Sequence, residues 1–115
     1  MNNEDVKKCT TILLKVIEDN ISPDGTLYKI IIDGKSIYNN DPIGGLCGAA
    51  LNILSVYGYT YDSIDEYMDA ISIYTNNCDY NYWFPVYDFK VRLSFLKHIE
   101  SCLTRNIVEL FVIPE

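Results

Sequence analysis

Between Lys35 and Lys90 the chain carries no Lys or Arg, and across all 115 residues it has one histidine and one tryptophan. Each shortage excludes something. A lone His98 rules out multi-histidine metal centres and leaves one side chain suited to proton transfer near neutral pH. The four cysteines, Cys9, Cys47, Cys78 and Cys102, stand 38, 31 and 24 residues apart and include no Cys-x-x-Cys pair, so zinc-knuckle and thioredoxin-type motifs are absent. In a reducing compartment they read as free, mostly buried thiols. No apolar run approaches the ~20 residues that a membrane helix needs, and the longest, 30–32 and 110–113, are strand-sized. The opening Met1-Asn2-Asn3-Glu4-Asp5 is polar and acidic, unlike a secretory signal, which sets the expected location as cytoplasmic. Gly44-Gly45-Leu46-Cys47-Gly48 lacks the following Lys and preceding strand of a phosphate-binding loop.

What is present suffices for one globular domain over residues 1–115. Hydrophobic residues make up 49%, enough to offset conformational entropy, so disorder is not expected. Nine basic residues face sixteen acidic ones, for a formal net charge of −7. Such a surface repels nucleic-acid phosphates and anionic lipid and attracts basic proteins.

Local patterns predict an α+β fold, about four helices packed on a small antiparallel sheet. Asn3 is placed to cap a first helix whose apolar positions are Val6, Cys9, Leu13, Val16 and Ile17, and Pro23-Asp24-Gly25 ends it in a turn. Asp33-Gly34 between β-prone arms predicts a hairpin, with strands near 27–32 and 35–38. Asp41-Pro42 then opens a second helix, 43–57, whose uncharged sequence predicts burial on every side. Ser63 and Glu66 form a capping-box pattern for a third helix with Ile64, Tyr67, Met68, Ile71 and Tyr74 inward. An aromatic-rich loop follows, 76–85, in which Trp83 and Phe84 are further candidates to pack inward. Asp88 is placed to cap a fourth helix with Phe89, Leu93, Leu96, Ile99 and Leu103 inward. The β-branched tail 107–113 reads as a C-terminal strand that joins the hairpin.

The stretch without basic residues also holds seven acids and nine of the ten tyrosines. Tyr and Trp supply rigid contact area with a polar tip, and neighbouring acids steer a positively charged partner. Asp62, Asp65, Glu66 and Asp69 recur at helical spacing, away from the inward stripe. With Asp79, Tyr59, Tyr61, Tyr80 and Tyr82 they form the candidate partner-binding set.

A catalytic alternative pairs Cys47 with His98 as nucleophile and base. His98 and Cys102, four apart, offer two metal ligands without a third, so no metal or other cofactor is expected. The segments GLCGAAL and YWFPVYDFKVRLSFLKHIE, with the Tyr-rich stretch between them, are similar to small bacterial and phage proteins. The size, acidity and Tyr/Asp-rich middle resemble cytosolic immunity proteins of toxin–immunity systems, including contact-dependent growth inhibition. That resemblance implies a role, binding and blocking a basic toxin domain such as a nuclease, and assigns no individual residue. The expected function is therefore non-enzymatic. A phage-type anti-defence protein that mimics nucleic acid is the other binding alternative.

Overall fold

A computed structural model describes residues 1–39, 45–75 and 89–112. In chain order the elements are α1 (Asn3–Asn20), β1 (Lys29–Ile32), β2 (Lys35–Asn39), α2 (Gly45–Val56), α3 (Tyr61–Ser72) and α4 (Phe89–Arg105). The fold is a mostly helical α+β globule: four helices and a two-stranded antiparallel hairpin among the described residues.

α1 is the hub because its apolar positions cover more than one stripe. Val6, Cys9, Leu13, Leu14, Val16 and Ile17 are all buried, and the helix packs on α4 most extensively, then on α2, β1 and α3. Each fully buried aliphatic side chain here, such as Leu13 or Ile17, contributes about 1.5–3 kcal/mol relative to exposure. The helix starts one residue earlier than the sequence suggests: Asn2, not Asn3, is the cap, its Oδ1 accepting from the Asp5 N–H at 2.9 Å. One polar pair sits inside. The Thr10 hydroxyl donates to the Val6 carbonyl at 2.8 Å, which leaves the Tyr67 hydroxyl to donate to Thr10 at 2.9 Å.

Asn20 joins α1 to the hairpin, since its Nδ2 donates to the Val16 carbonyl and its Oδ1 accepts from the Ile31 N–H at 3.0 Å. The turn after it is closed by Ser22 and Thr26, with the Asp24 carboxylate accepting from the Thr26 N–H, which holds that carboxyl below its usual range. Gly25, at φ 86, turns its carbonyl to the Phe89 N–H at 2.8 Å and so fixes the start of α4. Asp33 (φ 50) and Gly34 (φ 77) both adopt left-handed backbone, the type I′ geometry that suits strand twist.

The structure corrects two expectations about the apolar segments. α2 is not buried all round: Leu46, Ala49, Ala50, Ile53 and Leu54 face the core, while Leu51 and Val56 are 37% and 49% exposed. With no charged residue to mark the outer face, its pattern carried no sidedness. The tail does not join the hairpin either. Among the described residues the sheet holds only β1 and β2, and within 107–112 the tail makes one parallel bridge, Phe111 with Thr75 just past α3. The cause lies at the end of α4. Asn106 takes φ 56, its N–H bonds to the Leu103 carbonyl at 3.3 Å and the Ile107 N–H bonds to the Cys102 carbonyl at 3.0 Å, the two bonds of a Schellman cap. The chain is thereby turned back along α4, where the Phe111 ring meets Phe95 and His98 at centroid distances of 5.4 and 5.6 Å.

This cap gives a direct test. Asn106→Gly is expected to hold or raise stability by up to about 1 kcal/mol, and Asn106→Val to lower it by about 1–2 kcal/mol, because a β-branched residue is strained at positive φ. Urea unfolding midpoints of the two variants check the sign of each.

α4 buries the expected stripe of Phe89, Leu93, Leu96 and Ile99, leaves Leu103 half-buried, and adds Phe95, Cys102 and Arg92, the last 2% exposed. Among the described residues no helix is long and apolar enough to cross a membrane.

Candidate docking surface

The surface is built on α3. Thr60 caps it: its Oγ1 accepts from the Ser63 N–H at 3.1 Å, and its hydroxyl bonds to that of Ser63 at 2.9 Å. The capping-box reading of Ser63 with Glu66 therefore places the start three residues too late. Asp62 then falls in the first turn, where the helix dipole favours a carboxylate. Ile64, Tyr67, Met68 and Ile71 are buried, as the periodicity predicts.

Asp62, Asp65, Glu66 and Asp69 are all exposed. At 3.6 residues per turn they span an arc of about 100° on the outward side. The pairs 62–65, 62–66, 65–69 and 66–69 are i,i+3 or i,i+4 neighbours of like charge, and α3 contains no basic residue to relieve them. Such pairs cost about 0.2–0.5 kcal/mol each, so the ridge costs the helix about 1–2 kcal/mol. Of the four, only Glu66 has an ion-pair partner among the described residues, the Met1 ammonium at 3.2 Å. That pair leaves the Glu66 side chain 61% exposed and contributes little.

The aromatic half of the set is divided. Tyr61 heads the ridge at 71% exposure. Tyr59 is half-buried against the core; burial pushes its hydroxyl, and the Cys9 thiol, above their ordinary pKa. Asp79, Tyr80 and Tyr82 lie outside the described residues, as do Asp41, Cys78, Trp83, Phe84, Asp88 and Ile113. Tyr67 and Tyr74 are core residues. Tyr57, 47% exposed after α2, and Ile73, 50% exposed at the end of α3, were not among the expected surface residues. Ile73 had a usable signal, because it follows Asp69 by four residues and so continues the acidic face.

Of the catalytic alternative's two residues, Cys47 sits on α2, and the His98 Nε2–H on α4 donates to the Glu109 carbonyl at 2.6 Å, with the Cys102 sulfur at 3.5 Å. Cys47 is half-buried rather than fully buried. Burial first, and the Asp65 carboxylate second, push its thiol from the ordinary 9.0 to about 11. Two units mean a thiolate fraction about 100-fold smaller at neutral pH, and the thiolate is the reactive form. The thiolate of a higher-pKa thiol is also more nucleophilic, which offsets part of that loss, so maleimide labelling of the folded protein at Cys47, read by peptide mapping, is expected to be at least about tenfold slower than in urea. Comparable rates would revive a reactive cysteine. Among the described residues no three His, Cys, Asp or Glu side chains are grouped to hold a metal ion.

Comparison with protein-family profiles, with characterised proteins and with solved structures found no match to this chain.

Proposed function

We propose that this protein is an acidic protein-binding inhibitor of the immunity type, acting in the cytoplasm without catalysis or cofactor. It would neutralise a basic toxin domain by covering its active or substrate-binding face. One observation supports this most strongly. The outward face of α3 carries four acids in one arc, with no Lys or Arg on the helix and at a cost to the helix itself. A face kept only for solubility gains from interspersed Lys at i+4, which adds charge and stabilises the helix together. Retaining the repulsion is the pattern of a surface held for binding rather than stability.

In this reading Asp62, Asp65, Glu66 and Asp69 steer the encounter. Tyr61, the outer part of Tyr59, and Asp79, Tyr80 and Tyr82 make the short-range contacts. The test is stoichiometric inhibition: the basic protein that co-purifies with this chain from its native host is assayed for toxic activity with and without it. Full activity at a twofold excess of this chain would rule the role out.

A further inference from the structure

We propose that the acidic ridge of α3 runs on into an open, apolar strand edge in the C-terminal tail, and that this edge receives an extended basic segment of the partner protein as an added strand. The inference rests on the reading of α3 as a docking face. The link is Ile73, which caps α3 with backbone still helical (φ −66, ψ −16) and is 50% exposed on the same face as Asp69. Ile73, Tyr74, Leu103, Ile107 and Val108 border one small cleft of about 150 Å³, so the ridge and the tail meet there.

Beyond the cleft, alternate tail residues behave differently. The Glu109 carbonyl accepts from His98 and the Phe111 N–H donates to the Tyr74 carbonyl, each at 2.6 Å, so both residues are tied to the body. Val108, Leu110 and Val112 are 59%, 53% and 70% exposed. Among the described residues their N–H and C=O groups have no hydrogen-bond partner in the protein. Unpaired backbone along an extended segment is a template for strand addition, and natural edges are usually blunted by Lys or Pro. Within 107–112 the one charged residue is Glu109, and its carboxylate is already 3.3 Å from Arg105.

Charge selects the occupant. Ile73 lies one turn, about 6 Å, beyond Asp69, inside the ~8 Å screening distance at physiological salt. Asp62, Asp65 and Asp69 have no ion-pair partner among the described residues. A segment alternating Lys or Arg with β-branched residues fits both the carboxylates and the apolar edge. A second copy of this chain would bring another acidic ridge toward the first, and is disfavoured.

The probe is an end-blocked eight-residue peptide alternating Lys and Val, titrated into the isotopically labelled full chain and followed by amide chemical shifts. The controls are the Glu/Val counterpart and a Lys/Val peptide N-methylated at alternate residues. The expected result is shifts at Val108, Leu110, Val112, Ile73 and Asp69 with the Lys/Val peptide. At least a tenfold weakening is expected on N-methylation and in the Leu110→Pro variant, with no response to Glu/Val. Shifts confined to residues 62–69 would overturn the strand edge and leave the α3 reading standing. Tail shifts that depend on protein concentration without peptide would assign the edge to a second copy and overturn the proposal. So would an absence of shifts at both faces, in which case the inhibition assay alone decides the proposed function. Should Leu110→Pro fail to fold, the N-methylated peptide tests the same backbone pairing on the wild-type chain.

Discussion

Tyr67→Ala is expected to cost about 3–5 kcal/mol of unfolding free energy, a larger effect than any surface substitution in this chain should have. The side chain is 0% exposed and stands where α3 faces α1, so its loss leaves a cavity that neighbouring helices can only partly fill. Tyr67→Phe separates packing from hydrogen bonding. It keeps the ring and removes the hydroxyl that donates to Thr10, while Thr10 still bonds to Val6, so the expected cost is about 1 kcal/mol. Domains of this size are stable by about 5–15 kcal/mol, and the alanine variant would sit near the edge of folding at 37 °C. Urea unfolding of both variants checks the pair, and a cost below about 1 kcal/mol for alanine would show that Tyr67 is not a core residue.

The same burial has a signature in pH. Burial pushes the Tyr67 hydroxyl well above its ordinary 10.0 and also raises Cys9, Cys47, Tyr59 and Tyr74. The folded state thus prefers these groups protonated, and the unfolded chain loses their protons first. Their contribution is complete below about pH 9 and is lost progressively as pH rises through the folded values. Tyr67→Phe is expected to flatten the part of that decline above pH ~10.

Replacing Asp62, Asp65, Glu66 and Asp69 together by Lys is expected to slow association with a basic partner by at least about tenfold at low salt. Steering of this kind acts on the encounter, and screening weakens it as ionic strength rises. Wild-type association should therefore slow with added salt, and the variant's should be nearly flat or reversed. Tyr61→Ala should act mainly on dissociation, with a loss on the order of 2 kcal/mol if it is a hot spot. Stability moves the other way in one revealing case. Asp65→Lys alone turns the repulsions with Asp62 and Asp69 into attractions and is expected to raise stability by about 0.5–1 kcal/mol while weakening binding. A single change that stabilises the fold and impairs its use would mark the ridge as a functional compromise.

How much of this was legible in sequence depended on how local each signal was. The Asp33-Gly34 turn needs only two residues with positive φ, and it formed as expected. The inward stripes of α1, α3 and α4 were readable because charged residues bracket them. α2 has no charge, so periodicity could show an apolar helix but not which side would stay wet. The tail misled because β-branched residues at 107–113 favour extended chain without saying what pairs with it. The Schellman cap at Asn106 decided that, and the partner became Thr75 rather than the hairpin. Both helix caps that shifted, Asn2 for Asn3 and Thr60 for Ser63, involve neighbouring polar residues of similar capping strength. The acidic ridge was fully visible at i, i+3, i+4 and i+7. Its continuation into Ile73 and the tail edge was not, because it depends on a contact between segments distant in the chain.

The most direct measurement of the central claim is co-purification from the native host with two baits, the wild-type chain and the fourfold Asp/Glu-to-Lys variant of α3, matched by circular dichroism. The expected result is a basic protein recovered stoichiometrically with the wild type and lost, by about tenfold or more, from the variant. Equal recovery of the same protein by both baits would contradict the account, and would leave the outward face of α3 as a surface that keeps the protein dissolved.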